Sequence, residues 1–506
     1  MAFVFDDSYL LLFLAAITLV LLTRWGSRSR RRLPPGPKSL PVFGNMFSMP
    51  TEKPWETFHQ WCSQYGDVVF LDLPLQPTLI AGSARVALDL LEKRSHIYSD
   101  RVMCMMDRLM AWDFNFAFMS YGPEWRQHRR LFHQHFNQGA IDKYLPVQVR
   151  QTKQFLQRVL EDPTKLPDMT RLLFAGTILE IVYGMDIRDI DDEYVKTAQM
   201  AMEGHSIAHI PGVHWVEYMP ILKYIPSWVP GATFKKLVEK YRPYTKRMVS
   251  RPYQEMRKAV SEGTAPQSIA RTLITKAQER SGESNEFTIE DGLAMRTLAI
   301  TYAAGADTST SASQFFLVAM AMYPDIQKKV QAELHSLVGP NRLLEPSDLP
   351  DLIYTRAVLL ETLRWKPVIP MGLPHRLLQD DEYNGFFIPA GTIVLSSVWT
   401  IFRDPEEYPD PDRFMPERFI KDGKINTEIS ISRICPGRHL AEVSLLLAIA
   451  NILHVFDVIP APDKNGKSLG TDMEMTTGLV SMPEGIPCIL KPRSSVSEAL
   501  IRDANH

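Results

Sequence analysis

The spacing of apolar and polar residues divides the chain into an apolar start, two short strand-like stretches and a long series of helices. Tyr9 to Leu22 is apolar apart from Thr18. A helix from Tyr9 to Trp25 spans roughly 25 Å at about 1.5 Å per residue, a little under a hydrocarbon core of ~30 Å. Leu33-Pro34-Pro35-Gly36-Pro37 then breaks it, because each proline lacks an N–H and fixes φ. The pattern predicts a helix from Trp55 to Tyr65, strands over Asp67 to Leu73 and Thr78 to Ala81, and a helix from Ala84 to Lys93. Arg101 to Phe118 is irregular, and residues 141–285 are mainly helical. Thr288-x-x-Asp291 has the form of a capping box. It opens one helix over 288–322, roughly 50 Å long, which Pro324 stops. A helix from Leu352 to Trp365, a proline-studded meander from Tyr408 to Phe419 and an apolar helical run from Leu445 to Ala450 follow.

Charge orients the apolar start. Asp6 and Asp7 precede it, and Arg24, Arg28, Arg30, Arg31 and Arg32 follow it. The positive-inside rule then places the N-terminus outside and the rest of the chain in the cytosol. A cleaved signal peptide would carry its basic residues before the apolar run. The chain shows no repeat and no clean linker, so the expected division is 1–32 anchor and basic flank, 33–37 hinge and 38–506 one globular body. A net charge of −2 over 506 residues argues against a nucleic-acid partner. The 4 cysteines lie far apart with no CxxC, which excludes a disulfide framework and a zinc site.

Candidate chemistry gathers at a few places. Cys435 sits in Arg433-Ile434-Cys435-Pro436-Gly437-Arg438-His439, just before the apolar helix. A thiolate there meets backbone N–H groups and flanking arginines; a buried structural cysteine is the other reading. Trp125 and Arg129, four apart on a helix opened by Pro123, can hold an acidic planar ligand. Arg126 and Arg130 read as a solvated basic face. Within the long helix, Ala303-Ala304-Gly305-Ala306-Asp307-Thr308 places an acid beside an alcohol among small residues. Thr308 can bond back one turn, and Gly305 disfavours helix by about 1 kcal/mol relative to Ala. This is either a proton relay beside a flat ligand or a helix-packing notch. Glu361 and Arg364 read as a surface salt bridge, with Arg418 able to join them. The Met, Trp and Phe residues of 101–118 form either a pocket wall or ordinary core. His205, His209 and His214 lie in or beside an aromatic, proline-rich stretch, a candidate membrane-facing lid; they read as surface or loop residues without metal spacing.

Taken in order, these features resemble a membrane-anchored cytochrome P-450: the anchor and Pro-rich hinge, Trp125-x-x-x-Arg129, Ala304-Gly305-Ala306-Asp307-Thr308, Glu361-x-x-Arg364, Pro416-Glu417-Arg418-Phe419 and Arg433-Ile434-Cys435-Pro436-Gly437. The resemblance covers nearly the whole chain and leans toward fungal members of secondary metabolism. It implies a mainly α fold with small β-sheets behind one transmembrane helix, in the endoplasmic reticulum. Cys435 would be the thiolate ligand of haem b iron; Trp125, Arg129, Arg376 and Arg433 would contact its propionates. Glu361, Arg364 and Arg418 would form a buried network behind the cysteine loop. Thr308 would hydrogen-bond dioxygen and Asp307 would feed protons. Electrons would come from an NADPH-dependent reductase docked near Arg126, Arg130 and Arg438. Met110, Trp112, Phe116, Ala304, Val368 and Leu479 would line the pocket. Their apolar character implies a hydrophobic, terpenoid-like substrate, hydroxylated or epoxidised. The family also places Phe seven residues and Gly four residues before its cysteine, where this chain has Glu428 and Ile431. The same fold also serves isomerases and dehydratases, and a member with an impaired haem loop would be non-catalytic.

Overall fold

In the computed structural model, residues 31–229, 231–280, 286–426, 435–461 and 473–505 are described. The expected anchor from Tyr9 to Trp25, and Glu428, Ile431 and Arg433, lie outside the described residues. The chain packs as two units.

The first unit comprises residues up to Met106, Ile210–Phe234 and Met371–Ile401. Helix α1 (Pro54–Tyr65) leads into strands β1 (Val68–Leu71) and β2 (Thr78–Ala81), which pair antiparallel with Val68 opposite Ala81. The sheet is completed by β3 (His375–Arg376) and β6 (Ile393–Ser396), in the order β1-β2-β6-β3. Strands β4 (Asp381–Tyr383) and β5 (Phe386–Ile388) form a separate hairpin. Every residue of β1 and β2 is buried, so their near-continuous apolar sequence reflects cover on both faces. The proline-rich hinge is sewn to this sheet: Phe70 N donates to Pro35 O at 2.8 Å. A Cβ at Gly36 would lie 2.1 Å from Phe70 O, so only glycine allows that approach. Arg31 and Arg32 stack over Phe387 and Phe386 of the hairpin.

The second unit holds Asp107–His209, Lys235–Pro370 and Phe402 onward. Its longer helices are α2 (Pro123–Phe136), α3 (Leu145–Glu161), α4 (Leu166–Tyr183), α5 (Glu193–Ala208), α6 (Thr233–Ser261), α7 (Ile269–Arg280), α8 (Ile289–Met322), α9 (Pro324–Val338), α10 (Ile353–Trp365) and α11 (Arg438–Val455). Strands β7 (Phe456–Pro460) and β8 (Cys488–Pro492) pair antiparallel. The capping box forms as expected: Thr288 Oγ1 accepts from Asp291 N at 3.0 Å, and Asp291 Oδ2 accepts from Thr288 N at 2.9 Å. The core joins α3, α4, α8 and α11 through residues such as Leu156, Phe174, Phe316 and Leu446. Among the described residues, α11 is the helix long and apolar enough to cross a membrane, but most of it is buried in this core. A helix that is apolar all round suits a protein interior as well as a bilayer.

Several expectations need correction. The segment 101–118 contains a short helix, Met105–Leu109. The helix from Ala84 ends at Leu88 and continues as a π-turn, Asp89–Lys93. Glu361 and Arg364 are not on the surface; both side chains are 0% exposed. His205 and His214 are buried and His209 nearly so; the rings of His205 and His209 are packed by Trp112 and Phe118 and lie against the Asp107 carboxylate.

Candidate active site

Helix α2 starts at an extended Gly122, with Pro123 in its first turn. His128, Phe132 and Phe136 recur every four residues and are buried. Trp125 and Arg129 share the adjoining half-buried shoulder, while Arg126 and Arg130 are exposed as expected. The helix is pinned to α8 through Thr297. The Thr297 hydroxyl donates to Leu293 O at 2.8 Å and so accepts from His128 Nδ1 at 2.7 Å. A cavity of about 340 Å³ is lined by Trp125, Arg126, Arg129, Arg130, His133 and Gln134. Arg129 Nη1 is buried with no hydrogen-bond partner among the described residues.

Cys435 immediately precedes α11 and is solvent-accessible. The surrounding protein pushes its thiol pKa up, against the Gly437 and Arg438 N–H groups and the Arg129 and Arg438 guanidiniums, which pull it down. Arg129 and Cys435 therefore lie within electrostatic reach of each other.

Behind α11 stands a buried ion network. Arg364 Nε and Nη2 donate to Glu361 at 2.7 and 2.8 Å, and Arg364 Nη1 donates to Phe402 O at 2.9 Å. Arg418 Nε lies 3.3 Å from Glu361 Oε2, and Met415 N donates to Glu361 Oε1 at 2.8 Å. This fixes the meander to α10. In turn, Arg356 of α10 donates to Glu442 of α11 at 2.8 Å.

Helix α8 runs buried from Thr297 to Ala303 and from Ser309 to Ala321, and opens between them. Ala304 is exposed, and Gly305, Asp307 and Thr308 are half-buried. Thr308 Oγ1 donates to Ala304 O at 2.7 Å, the back-bond expected. Arg171 of α4 donates to Asp307 Oδ1 at 3.1 Å. Burial raises the Asp307 pKa, and Arg171 opposes the rise.

Hydrogen bonds join the C-terminal tip to three other elements. Ser311 of α8 donates to Ser481 O at 2.6 Å, Ser481 N donates to Val368 O at 2.9 Å, and Leu479 N donates to Ser206 O at 3.2 Å. The tip carrying Leu479 is thus tied to α8, to Val368 and to α5. Met110, Trp112 and Phe116 are buried, and Trp112 stacks on His205 with centroids 4.1 Å apart. Arg376 belongs to the other unit, where its Nε donates to Asp100 Oδ2 at 2.7 Å.

A family model for cytochrome P450 matches residues 34–486. The chain belongs to the cytochrome P450 family. It is 36% identical over 488 residues to a cytochrome P450 monooxygenase named COX2 from Coprinopsis cinerea, covering 94% of this chain and 92% of that one. It is 36% identical to tryptamine 4-monooxygenase from Psilocybe cyanescens, over 92% of this chain and 94% of that protein. It is also 36% identical to the P450 monooxygenase ple1 of Rhodocybe pseudopiperita, over 96% and 95% of the two chains. This P450 is therefore a monooxygenase, and its cofactor is the haem-thiolate iron of the family.

The residues present fit that cofactor. A thiol at a helix N-terminus can ligate iron as thiolate. A half-buried arginine with one buried, unsatisfied Nη1, within electrostatic reach of it, suits an acidic edge. Arg171, the partner of Asp307, was not legible in the sequence, since 136 residues separate them. Neither was Asp107, the carboxylate beside His205 of α5 and beside His209, which follows the helix.

Proposed function

We propose that this P450 hydroxylates or epoxidises a hydrophobic, terpenoid-like small molecule of secondary metabolism, using dioxygen and electrons passed from NADPH through a membrane-bound reductase. The observation that carries the oxygenase reading is the Asp307–Thr308 pair on the accessible stretch of α8. The buried Met110, Trp112, Phe116 and Leu479 support an apolar substrate.

When bound, the haem supplies dioxygen activation, so that one oxygen atom enters the substrate. In this reading Cys435 would hold the iron, and Trp125, Arg129 and Arg433 would hold the propionates. The Thr308 hydroxyl donates its hydrogen bond to Ala304 O, so its oxygen offers lone pairs toward the open face and orients a proton donor there. Asp307 stores the proton. Burial favours its protonated form, and Arg171 restrains the carboxylate until it turns toward Thr308. Glu361, Arg364 and Arg418 hold the meander and, through Arg356 and Glu442, the start of α11.

The same reading assigns residues 1–32 to a single-pass anchor in the endoplasmic reticulum, 33–37 to a hinge and 38–506 to the catalytic body in the cytosol. Within the first unit, Phe47, Trp215, Ile221, Tyr224 and Trp228 are exposed apolar side chains, with Phe47 and Trp215 edge-to-face at 5.8 Å. A patch of that kind supports contact with lipid. Arg126, Arg130 and Arg438 form the proposed basic face for the reductase.

The test is turnover in membranes with NADPH and reductase, screened over hydrophobic terpenoids. Products one oxygen atom heavier support the proposal. Conversion that proceeds without NADPH would instead identify an isomerase or dehydratase.

A further inference from the structure

A buried carboxylate and two imidazoles, unused by the chemistry above, join the start of segment 107–118 to the end of α5. Asp107 is 0% exposed. Its Oδ1 lies 3.0 Å from His205 Nδ1 and its Oδ2 lies 3.3 Å from His209 Nε2. Trp112 stacks on His205, and Phe118 packs on both rings at 5.6 and 4.7 Å. The surroundings are apolar, so each ring's protons are set by its neighbours.

Those neighbours can be read one at a time. Asn115 Oδ1 accepts from Ala117 N at 3.0 Å, which turns the amide's Nδ2 toward His205 Nε2 at 3.5 Å. His205 Nε2 is therefore an acceptor, its Nδ1 carries the proton, and the ring is neutral. Burial also drives the His205 pKa down. His209 differs. Its Nδ1 faces His205 O at 2.9 Å, and a carbonyl can only accept. Its Nε2 faces a carboxylate that burial would protonate but that the two imidazoles hold ionised. A neutral His209 would leave the ionised Asp107 Oδ2, 3.3 Å from Nε2, without a compensating charge. The contact therefore favours a proton on both nitrogens.

We propose that Asp107 and the imidazolium of His209, with neutral His205 beside them, form a proton-dependent clasp that holds segment 107–118 against the end of α5. The next residue extends its reach. Ser206 accepts from Leu479 N and exchanges hydrogen bonds with Val480 at 3.3 Å. Two proposed pocket walls, one carrying Met110, Trp112 and Phe116 and one carrying Leu479, are thus fastened at one helix end. Asp107, His205 and His209 are positioning residues.

Other charges nearby do not replace His209. In the segment, Arg108 and Asp113 are exposed. On α5, Glu203 is exposed and pairs with Lys240 and Tyr241 of α6. The tip from Gly478 to Ser481 has no titratable side chain. The remaining group in this part of the sequence is the Cys104 thiol, three residues before Asp107. The closed clasp holds one proton that the opened clasp releases to solvent at higher pH. Opening therefore becomes more favourable as pH rises, by at most about tenfold per unit.

Hydrogen–deuterium exchange of the full-length holoprotein in membranes, from about pH 6 to about pH 9 and corrected for intrinsic rates, tests this. Peptides covering 107–118 and 201–209 should open more with rising pH, while a reference peptide from α11 stays flat. His205→Gln should keep the rise and His209→Gln should remove it. Clasp peptides as flat as the reference, or a rise that survives His209→Gln, would overturn the proposal. If neither variant accumulates, the wild-type comparison decides alone. The clasp's effect on substrate entry rests on the pocket reading above, whereas exchange tests the clasp by itself. Hydrophobic ligands that bind without perturbing the haem spectrum would contradict the pocket while leaving the exchange result standing.

Discussion

Arg171 on α4 reaches Asp307 on α8, its Nη1 3.1 Å from the carboxylate Oδ1. Burial pushes that carboxyl toward its protonated form and the guanidinium pushes back, so the pair can hold a proton close to Thr308 and control its release. Asp307→Asn should lower product formation about 10²-fold, the lower end of what a positioned acid or base contributes. The haem spectrum should stay unchanged and NADPH should still be consumed. Product measured per NADPH oxidised checks this; full coupling in the variant would remove Asp307 from the proton path.

Arg171→Met should leave haem content intact and shift the pH dependence of turnover toward higher pH. Removing the guanidinium takes away the influence that lowers the Asp307 pKa, so the carboxyl keeps its proton further up the pH scale. An unmoved pH profile would show that the ion pair is structural.

Glu361 is the hub of the buried network, accepting from Arg364 and from Met415 N and pairing with Arg418. Glu361→Gln should cost about 3–5 kcal/mol, because two guanidiniums lose their counter-ion in a dry site. Thermal unfolding and haem retention after gel filtration report the loss. Arg364→Lys should also weaken haem retention, since an ammonium cannot reproduce the planar fork onto Glu361 with its further bond to Phe402 O.

Acid should destabilise the fold through histidines buried as neutral rings. The His128 pKa is pushed down to about 4 by burial and by Arg296, and that of His375 to about 3 by burial and by Arg101. Both depressed values mean stability that is present above the unfolded pKa and is lost as pH falls toward the folded pKa. Between roughly pH 6.5 and pH 4 each ring should remove about 1.4 kcal/mol per pH unit. Melting temperatures over that range check the slope, which His128→Gln should make shallower.

How much of this was legible in the sequence depends on distance along the chain. The long helix α8 could be read because its cap, its stop and its small-residue centre all lie within it. Trp125 and Arg129 could be paired from their spacing. Glu361 and Arg364 were visible as a pair from their spacing, whereas their burial was implied by the family resemblance alone, because its cover comes from Phe402 and from the meander, distant in sequence. Arg171 and Asp107 were missed for a related reason: each partners residues far away in sequence, and no local pattern marks a buried ion pair. His205 and His209 read as surface residues because their aromatic cover, Trp112 and Phe118, arrives from a segment with no regular period.

The central claim is that Cys435 ligates haem iron as a thiolate, and the most direct test is the reduced, carbon-monoxide difference spectrum of the full-length protein in its membranes. A strongly red-shifted Soret band, abolished by Cys435→Ala, is the predicted result. A blue-shifted or absent band in the wild type, or a red-shifted band that survives Cys435→Ala, would contradict it.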